Sequence, residues 1–453
     1  MASSTETIVE EESPVDSGAL VPEEQPSKSL WDRLKAGISR NVFVLSIVSL
    51  FTDVSSEMIV PVRILFLVLV LHTPLTIAGL IEGVAESTAS LLKIISGNMS
   101  NKVSNRKPLI AAGYGVANLV KPLLAIVTAW PLALGFIFLD RVGKGLRGSP
   151  RDALMADSTP REYMGKAFGF HRSMDTLGAA IGPLLTFVIL LATMGDLRAV
   201  FAWTAVPGIL ATIIVVLFVR EKRKTSSEEL AGNVDAGTAK IEEAAKKEAA
   251  PARVPPSALG IRFWLLVSVS SVFALGNSSD AFIFLRSAGL EQSIVLVPLM
   301  YFGYNFVYAL FATPLGALSD RFGRIPVLLS GYAVFALVYA GWAVATLAWN
   351  AWALFLLYGV YAAATEGVAK AYVADLVPKS VRGSAMGWFN GLTGLMALPA
   401  NIIGGWLWTV AGPSATFTFG AWAAGVAMAL MIVWLPWLRR TPSAMDATQP
   451  GVA

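Results

Sequence analysis

The chain has no cysteine among its 453 residues and two histidines, His72 and His171. Disulfides and thiolate metal sites are therefore excluded, and no spacing of His, Asp or Glu resembles a metal site. No nucleophile elbow occurs, and the Gly-Lys-Gly at 143–145 follows no strand, so it is not a dinucleotide loop. Neither an enzyme nor a cofactor is expected. Charge is scarce as well. Charged residues make up 15% of the chain and hydrophobic ones 55%, against about 25% charged in a soluble protein. A secretory signal is also missing from the start: residues 1–27 are acidic and rich in Ser and Pro, and read as a disordered tail.

What fills the chain is apolar runs of 20 or more residues, long enough to cross a bilayer as helices. In lipid only helices and closed barrels satisfy every backbone group, and these runs are too long and continuous for barrel strands. The expected fold is all-α, with twelve spans at 42–71, 74–96, 108–128, 131–149, 166–193, 199–219, 261–287, 292–315, 326–347, 350–373, 384–410 and 413–436. The fourth carries Asp140, Arg141, Lys144 and Arg147, and is retained because loop charges alternate only with it.

Lys and Arg fix the expected orientation. Of 35, 23 fall in the tails and even-numbered connections, one (Arg198) in an odd-numbered connection, and eleven inside spans. Both termini are thus expected in the cytoplasm. The pI near 9.1 reflects this topology and implies no nucleic-acid partner. The expected organisation is a tail at 1–41, a six-helix bundle at 42–219, a linker at 220–260, a second bundle at 261–437 and a tail at 438–453.

The halves repeat. ADSTPREYMGKAFG (156–169) aligns with ADLVPKSVRGSAMG (374–387) at an offset of 218, and GNMSNKVSNRKP (97–108) with GALSDRFGRIP (316–326) at 219 slipping to 218. A parallel repeat of six helices suggests two similar bundles with a site between them.

Buried charge points to that site, because a charge at the bilayer centre costs at least about 2.5–3.5 kcal/mol and needs a cavity, a partner or a proton. Asp53 and Glu57 share a face of span 1, while Glu82, Glu86 and Lys93 form one stripe on span 2. Four crowded carboxylates cannot all stay ionised cheaply, which suits a proton carrier. Glu86 and Asp53 are the first choices on depth. The plainer alternative is static pairing with Arg63, Lys93 or Arg141. Asp140, Lys144, Arg147 and Arg151 form a stripe on span 4, with Arg141 beside it. Arg147 and Arg151 read as structural, near the basic end. Arg141 and Lys144 lie deeper, and could answer the carboxylates or meet an anionic substrate. His171 and Asp175 share a face and read as a structural pair.

The second half is more aromatic. Tyr301, Tyr304 and Tyr308 sit with Asn305 at mid-span, where their hydroxyls need partners. They are candidate cavity residues, as are Asp280, Glu366 and Asn390, with Asn401 more weakly. Glu366 and Lys370 are spaced as a self-neutralising pair.

GALSDRFGR, the Arg141-Val-Gly-Lys-Gly145 run, and Gly169, Gly178, Gly182 and Pro183 carry a family resemblance. Over about residues 42–437 the chain resembles twelve-helix transporters of the major facilitator superfamily. The three stretches are similar to its loop signature, its R-x-x-Q-G signature with Lys144 in the Gln place, and the first part of its antiporter signature. The final Gly pair of the last is replaced by Thr186 and Phe187. The resemblance implies rocker-switch alternating access, and the span 5 match leans toward proton-coupled efflux. It implies gating loops built from Gly316, Asp320, Arg321, Gly323 and Arg324 in one copy and Gly97, Asn101 and Lys102 in the other. There the neutral Asn101 replaces the acid that helps latch the cytoplasmic side. Gly178 and Gly182 permit close helix approach, and Pro183 a bend.

The expected function is proton-coupled export (antiport) of a small organic molecule or drug by a monomer in the inner cell membrane. Its partners are substrate, protons and lipid. Proton-coupled uptake of an organic anion, with Arg141 and Lys144 as ligands, is the alternative. A non-transporting membrane sensor is a further one, since fold does not fix function.

Overall fold

The computed structural model describes residues 38–102, 106–160, 163–220, 259–291, 293–378 and 381–438, with the backbone alone at 90, 93–102 and 165. Nearly all of both tails and the linker at 220–260 lie outside the described residues, as does Ser104. Every element described is helical. In chain order they are α1 (Arg40–Leu65, continuing as a π-helix Phe66–Val70), α2 (Leu75–Lys102), α3 (Lys107–Leu123), α4 (Trp130–Asp157), α5 (Met164–Ala192) and α6 (Leu197–Trp203 and Ala205–Phe218). The second half follows with α7 (Gly260–Gly276 and Asp280–Glu291), α8 (Val297–Phe322), α9 (Arg324–Val344), α10 (Ala348–Leu376), α11 (Arg382–Ala411) and α12 (Pro413–Val433).

Eight of these, α3, α5, α6, α7 and α9–α12, are long and apolar enough to cross a bilayer. The other four, α1, α2, α4 and α8, carry most of the charged and tyrosine positions singled out above. Polarity concentrates on the helices that line a site, because there it faces other protein and not lipid.

Four expected helix limits are corrected. α4 continues to Asp157, eight residues past the expected end: the helix carries Pro150 within it, and nothing in the RDALMAD that follows stops it. α8 runs to Phe322, so Gly316, Asp320 and Arg321 lie on its last turns, and the turn is Gly323 alone, at φ 94°. That left-handed backbone favours glycine. Likewise α2 runs through Gly97, Asn101 and Lys102. Most of each expected loop is therefore helix.

The fourth correction is that α7 is not continuous. It breaks at Asn277-Ser278-Ser279. The freed groups find side-chain partners: the Ser279 amide donates to Asn401 Oδ1 at 2.6 Å, and Tyr339 donates to the Ser278 carbonyl at 3.3 Å. A break at membrane depth needs this compensation. Asn401, a weaker cavity candidate, is thus committed to the joint.

The halves meet along α2–α11, α5–α8 and α1–α7. The α2–α11 contact is backbone on backbone. A Cβ at Gly83 would lie 2.9 Å from Leu398 Cα, and Gly79 and Gly405 abut the Asn401 and Leu75 carbonyls. These residues lie toward the end opposite Arg106 and Gly323. At that same end Gly195 faces Ile294 across the halves. At the basic end the ion pairs among the described residues stay within halves, Arg106–Asp157 at 2.6 Å and Arg324–Asp375 at 2.9 Å. The halves are therefore in close contact at one end, while toward the basic end no ion pair joins them among the described residues and Glu366 and Asn390 are exposed.

Candidate functional site

The site lies between the bundles. On the first half, α1 and α5 approach closely because Gly178 and Gly182 present no side chain: a Cβ on Gly182 would lie 2.7 Å from Glu57 Cβ. Thr186, which stands where the antiporter signature has glycine, donates across to the Met58 carbonyl at 2.9 Å. α1 is thus held with Asp53 and Glu57 near the interior. The charges acting on Asp53 are Asp175, Lys144, Arg147 and Arg151. Those acting on Glu57 include Lys144, Asp53 and Arg141.

Glu82 is different. Arg63 grips it through two hydrogen bonds, Nε to Oε1 at 2.7 Å and Nη2 to Oε2, and Glu82 is fully buried. This bidentate pair is the static neutralisation considered above, and it engages both oxygens of Glu82. Glu86, one turn on, is exposed to the interior. The charges acting on it are Glu82, Asp280, Arg63 and Arg141. Arg141 itself lies 3.7 Å from Asp140. Of Lys93 no side-chain position is described.

Arg147 lies over the Tyr114 ring, 4.4 Å from its centroid, and Arg151 pairs with Asp152 at 2.8 Å and with Ser49. Both positions fit the structural reading. His171 and Asp175 approach to 3.7 Å, outside hydrogen-bond distance.

The second half contributes hydroxyls. Tyr301 donates to Glu57 at 2.9 Å, joining α8 to α1 across the halves. Tyr358 donates to Asp280 at 2.8 Å and Tyr308 to Glu366 at 3.1 Å. Glu57, Asp280 and Glu366 thus each take a tyrosine hydroxyl. Tyr301, Tyr304 and Tyr358 stack in series, with centroids 5.7 and 5.3 Å apart. Glu366 is bonded by Tyr308, and no ion pair with Lys370 forms among the described residues, which corrects the self-neutralising reading. Asn305 lies on α8 beside this stack, with its amide nitrogen buried.

Three participants were missed in the sequence. Tyr358 and Tyr361 of α10 flank the α7 joint, where Tyr361 accepts from Asn277 at 3.0 Å. Lys121 of α3 is buried and donates to Ser56 at 2.7 Å and Asn118 at 3.2 Å. A tyrosine every three or four residues on one helix was the available signal for the first two. Lys121 had none, because its partners lie on other helices.

Two helical bundles that meet around ionisable and tyrosine side chains at membrane depth have the architecture of a membrane carrier. The sequence model of the Major Facilitator Superfamily matches residues 45–295 and 272–452, and the chain belongs to that family. It is 34% identical over 401 residues, 87% of this chain and 95% of the other, to an uncharacterised MFS-type transporter of Methanocaldococcus jannaschii. It is 33% identical over 149 residues, a third of this chain and 36% of the other, to the class B tetracycline resistance protein of Escherichia coli. Among solved structures, a POT family transporter in complex with 5-aminolevulinic acid superposes with a TM-score of 0.68 at 15% identity, covering 89% of this chain and 97% of that one. That likeness concerns the fold.

Proposed function

We propose that the protein is a proton-coupled exporter of a small organic molecule, with twelve membrane-spanning helices and both termini in the cytoplasm. The observation that carries this reading is the Tyr301–Glu57 hydrogen bond. It puts an ionisable group of the first bundle and a cavity side chain of the second into one contact, so the charge of Glu57 and the separation of the bundles bear on each other. Export by a monomer in the inner membrane also draws on the antiporter-like helix 5 and on the tetracycline-resistance relative.

The cycle runs as follows. Substrate enters the cavity from the cytoplasm, through the open basic end, and lies against Tyr301, Tyr304 and Tyr308. Asp280, Asn305, Glu366 and Asn390 supply polar contacts. Closing α4 against α10 and parting α1 from α7 turns the cavity outward. A proton from outside then loads one of Asp53, Glu57 or Glu86, and Arg141 and Lys144 respond to the lost negative charge. Glu82, held by Arg63, serves as fixed electrostatic background. The helix ends at Gly97–Lys102 and Gly316–Arg324 gate the cytoplasmic side.

Purified protein in liposomes, given an imposed pH gradient, is the test. Substrates are first found by screening a deletion strain for sensitivity to toxic compounds. Uphill flux abolished by an uncoupler supports the reading, and ligand binding without any flux would mean a sensor. Uptake of an organic anion is favoured by one observation: Arg141 Nε is buried with no hydrogen-bond partner among the described residues. The direction of flux in whole cells, with and without uncoupler, separates the two.

A further inference from the structure

Lys121 has no part in the cycle above, yet it is among the most enclosed charges in the protein. It is 2% exposed, on α3, against α1, α4 and α6. An ammonium has three N–H donors and no acceptor. Two are taken by Ser56 Oγ and Asn118 Oδ1, and the carboxylate of Asp140 stands 3.9 Å off. Asn118 is itself held by Thr52 at 3.3 Å and Thr212 at 3.4 Å, so the whole seat is built from neighbouring helices. Burying an ammonium is costly unless it is paired, and its counter-charge here is shared. Asp140 turns Oδ1 to Lys121 and Oδ2 to Arg141 Nε, 3.7 Å away. A chain Lys121–Asp140–Arg141 therefore crosses from the α3 side to the cavity side.

We propose that Lys121 is a positioning residue for coupling. It anchors Asp140, and Asp140 restrains Arg141 from closing onto the α2 carboxylates, which sets the pH at which the transporter changes conformation. This rests on the proton-coupled reading above. The charged groups facing the chain are these. Asp140, Arg147 and Lys144 of α4 and Asp53 of α1 act on Lys121, while α6 offers Thr212 through Asn118. Lys121, Arg141, Lys144 and Arg147 act on Asp140. Arg63 of α1, Asp140, and Glu82 and Glu86 of α2 act on Arg141.

Because the chain has no cysteine, a single thiol reports cleanly. Gly367 is an exposed position on α10 whose added Cβ would meet open space, and α10 is one wall of the open end. Labelling of Gly367→Cys by a membrane-impermeant maleimide is measured on the full chain in nanodiscs from pH 5.5 to 8, each rate divided by that of the unfolded protein. Lys121→Met is expected to move the midpoint of this profile upward by about one pH unit, tenfold in proton binding, because a positive charge is lost. Lys121→Met with Asp140→Asn removes equal and opposite charges, frees Arg141 toward α2, and is expected to bring the midpoint below that of the parent. If the single variant does not fold, the double variant decides alone, since it leaves no unpaired charge at that seat. A double-variant midpoint equal to the parent's overturns the inference: Lys121 would then act through its charge only. A flat parent profile overturns the proton-coupled reading itself, so the two failures are distinguishable.

Discussion

The two bundles descend from one pattern but hold their interiors differently. The first is stitched by ions: Arg63 on Glu82, and Lys121 and Arg141 on Asp140. The second is stitched by rings: Tyr301, Tyr304 and Tyr358 stack, and Phe335 lies among Tyr339, Tyr358 and Tyr361. One part of the repeat lies at the basic end. Arg106–Asp157 and Arg324–Asp375 are equivalent pairs, each residue 218 positions from its counterpart. Ions respond to protons and rings to the shape of a ligand. The divergence therefore suits a division in which the first half senses protons and the second holds substrate.

The comparison breaks most visibly at Glu82. Glu82→Ala leaves Arg63 buried with no bidentate partner and is expected to cost about 3–5 kcal/mol, measured as lost monodisperse protein after heating. Leu at Glu82 together with Met at Arg63 should restore most of it. Next come the proton candidates. Glu86→Gln and Asp53→Asn are each expected to reduce pH-driven flux tenfold or more while leaving folding nearly intact; if both keep full pH-driven transport, the assignment to the first half is wrong. On the aromatic side the effect is smaller. Tyr358→Phe deletes one hydroxyl from Asp280 and should cost about 1 kcal/mol of stability, with weakened substrate binding and an unchanged pH profile. A shifted profile would blur the division. The smallest effects belong to the shared end. Arg106→Gln and Arg324→Gln break partly exposed pairs worth about 0.2–1 kcal/mol each, and Arg324→Gln, which also loses Asp320 and Ser319, should lower thermal stability more. Asn101→Asp, which restores the acid of the second copy, should favour the outward-facing state. Unchanged reactivity of thiols placed at the basic end would make that segment a connector.

The sequence carried a good deal of this. The helical architecture, the repeat and the crowding of charge on α1, α2 and α4 followed from apolar run length and from the rarity of charge in lipid. Pairing did not. That Arg63 grips Glu82 through both carboxylate oxygens depends on the rotation of α1 against α2, which no intrahelical spacing reports. The α7 joint had a signal, Gly-Asn-Ser-Ser-Asp, a run of helix-capping residues. The flanking apolar run hides it, being long enough to span unbroken. Lys121 sits beside Pro122 near a span end, where a lysine ordinarily snorkels, so its burial is a tertiary fact.

The closed end has a consequence of its own. At Gly79, Gly83 and Gly405 main chain rests on main chain, so the plug contains few rotamers and little room for a wandering water. A barrier of this kind does not flicker open one side chain at a time; it opens when whole helices part. Between turnovers such a carrier should leak few protons. If export is what the open basin serves, the thrift lies in these glycines and not in the charged centre.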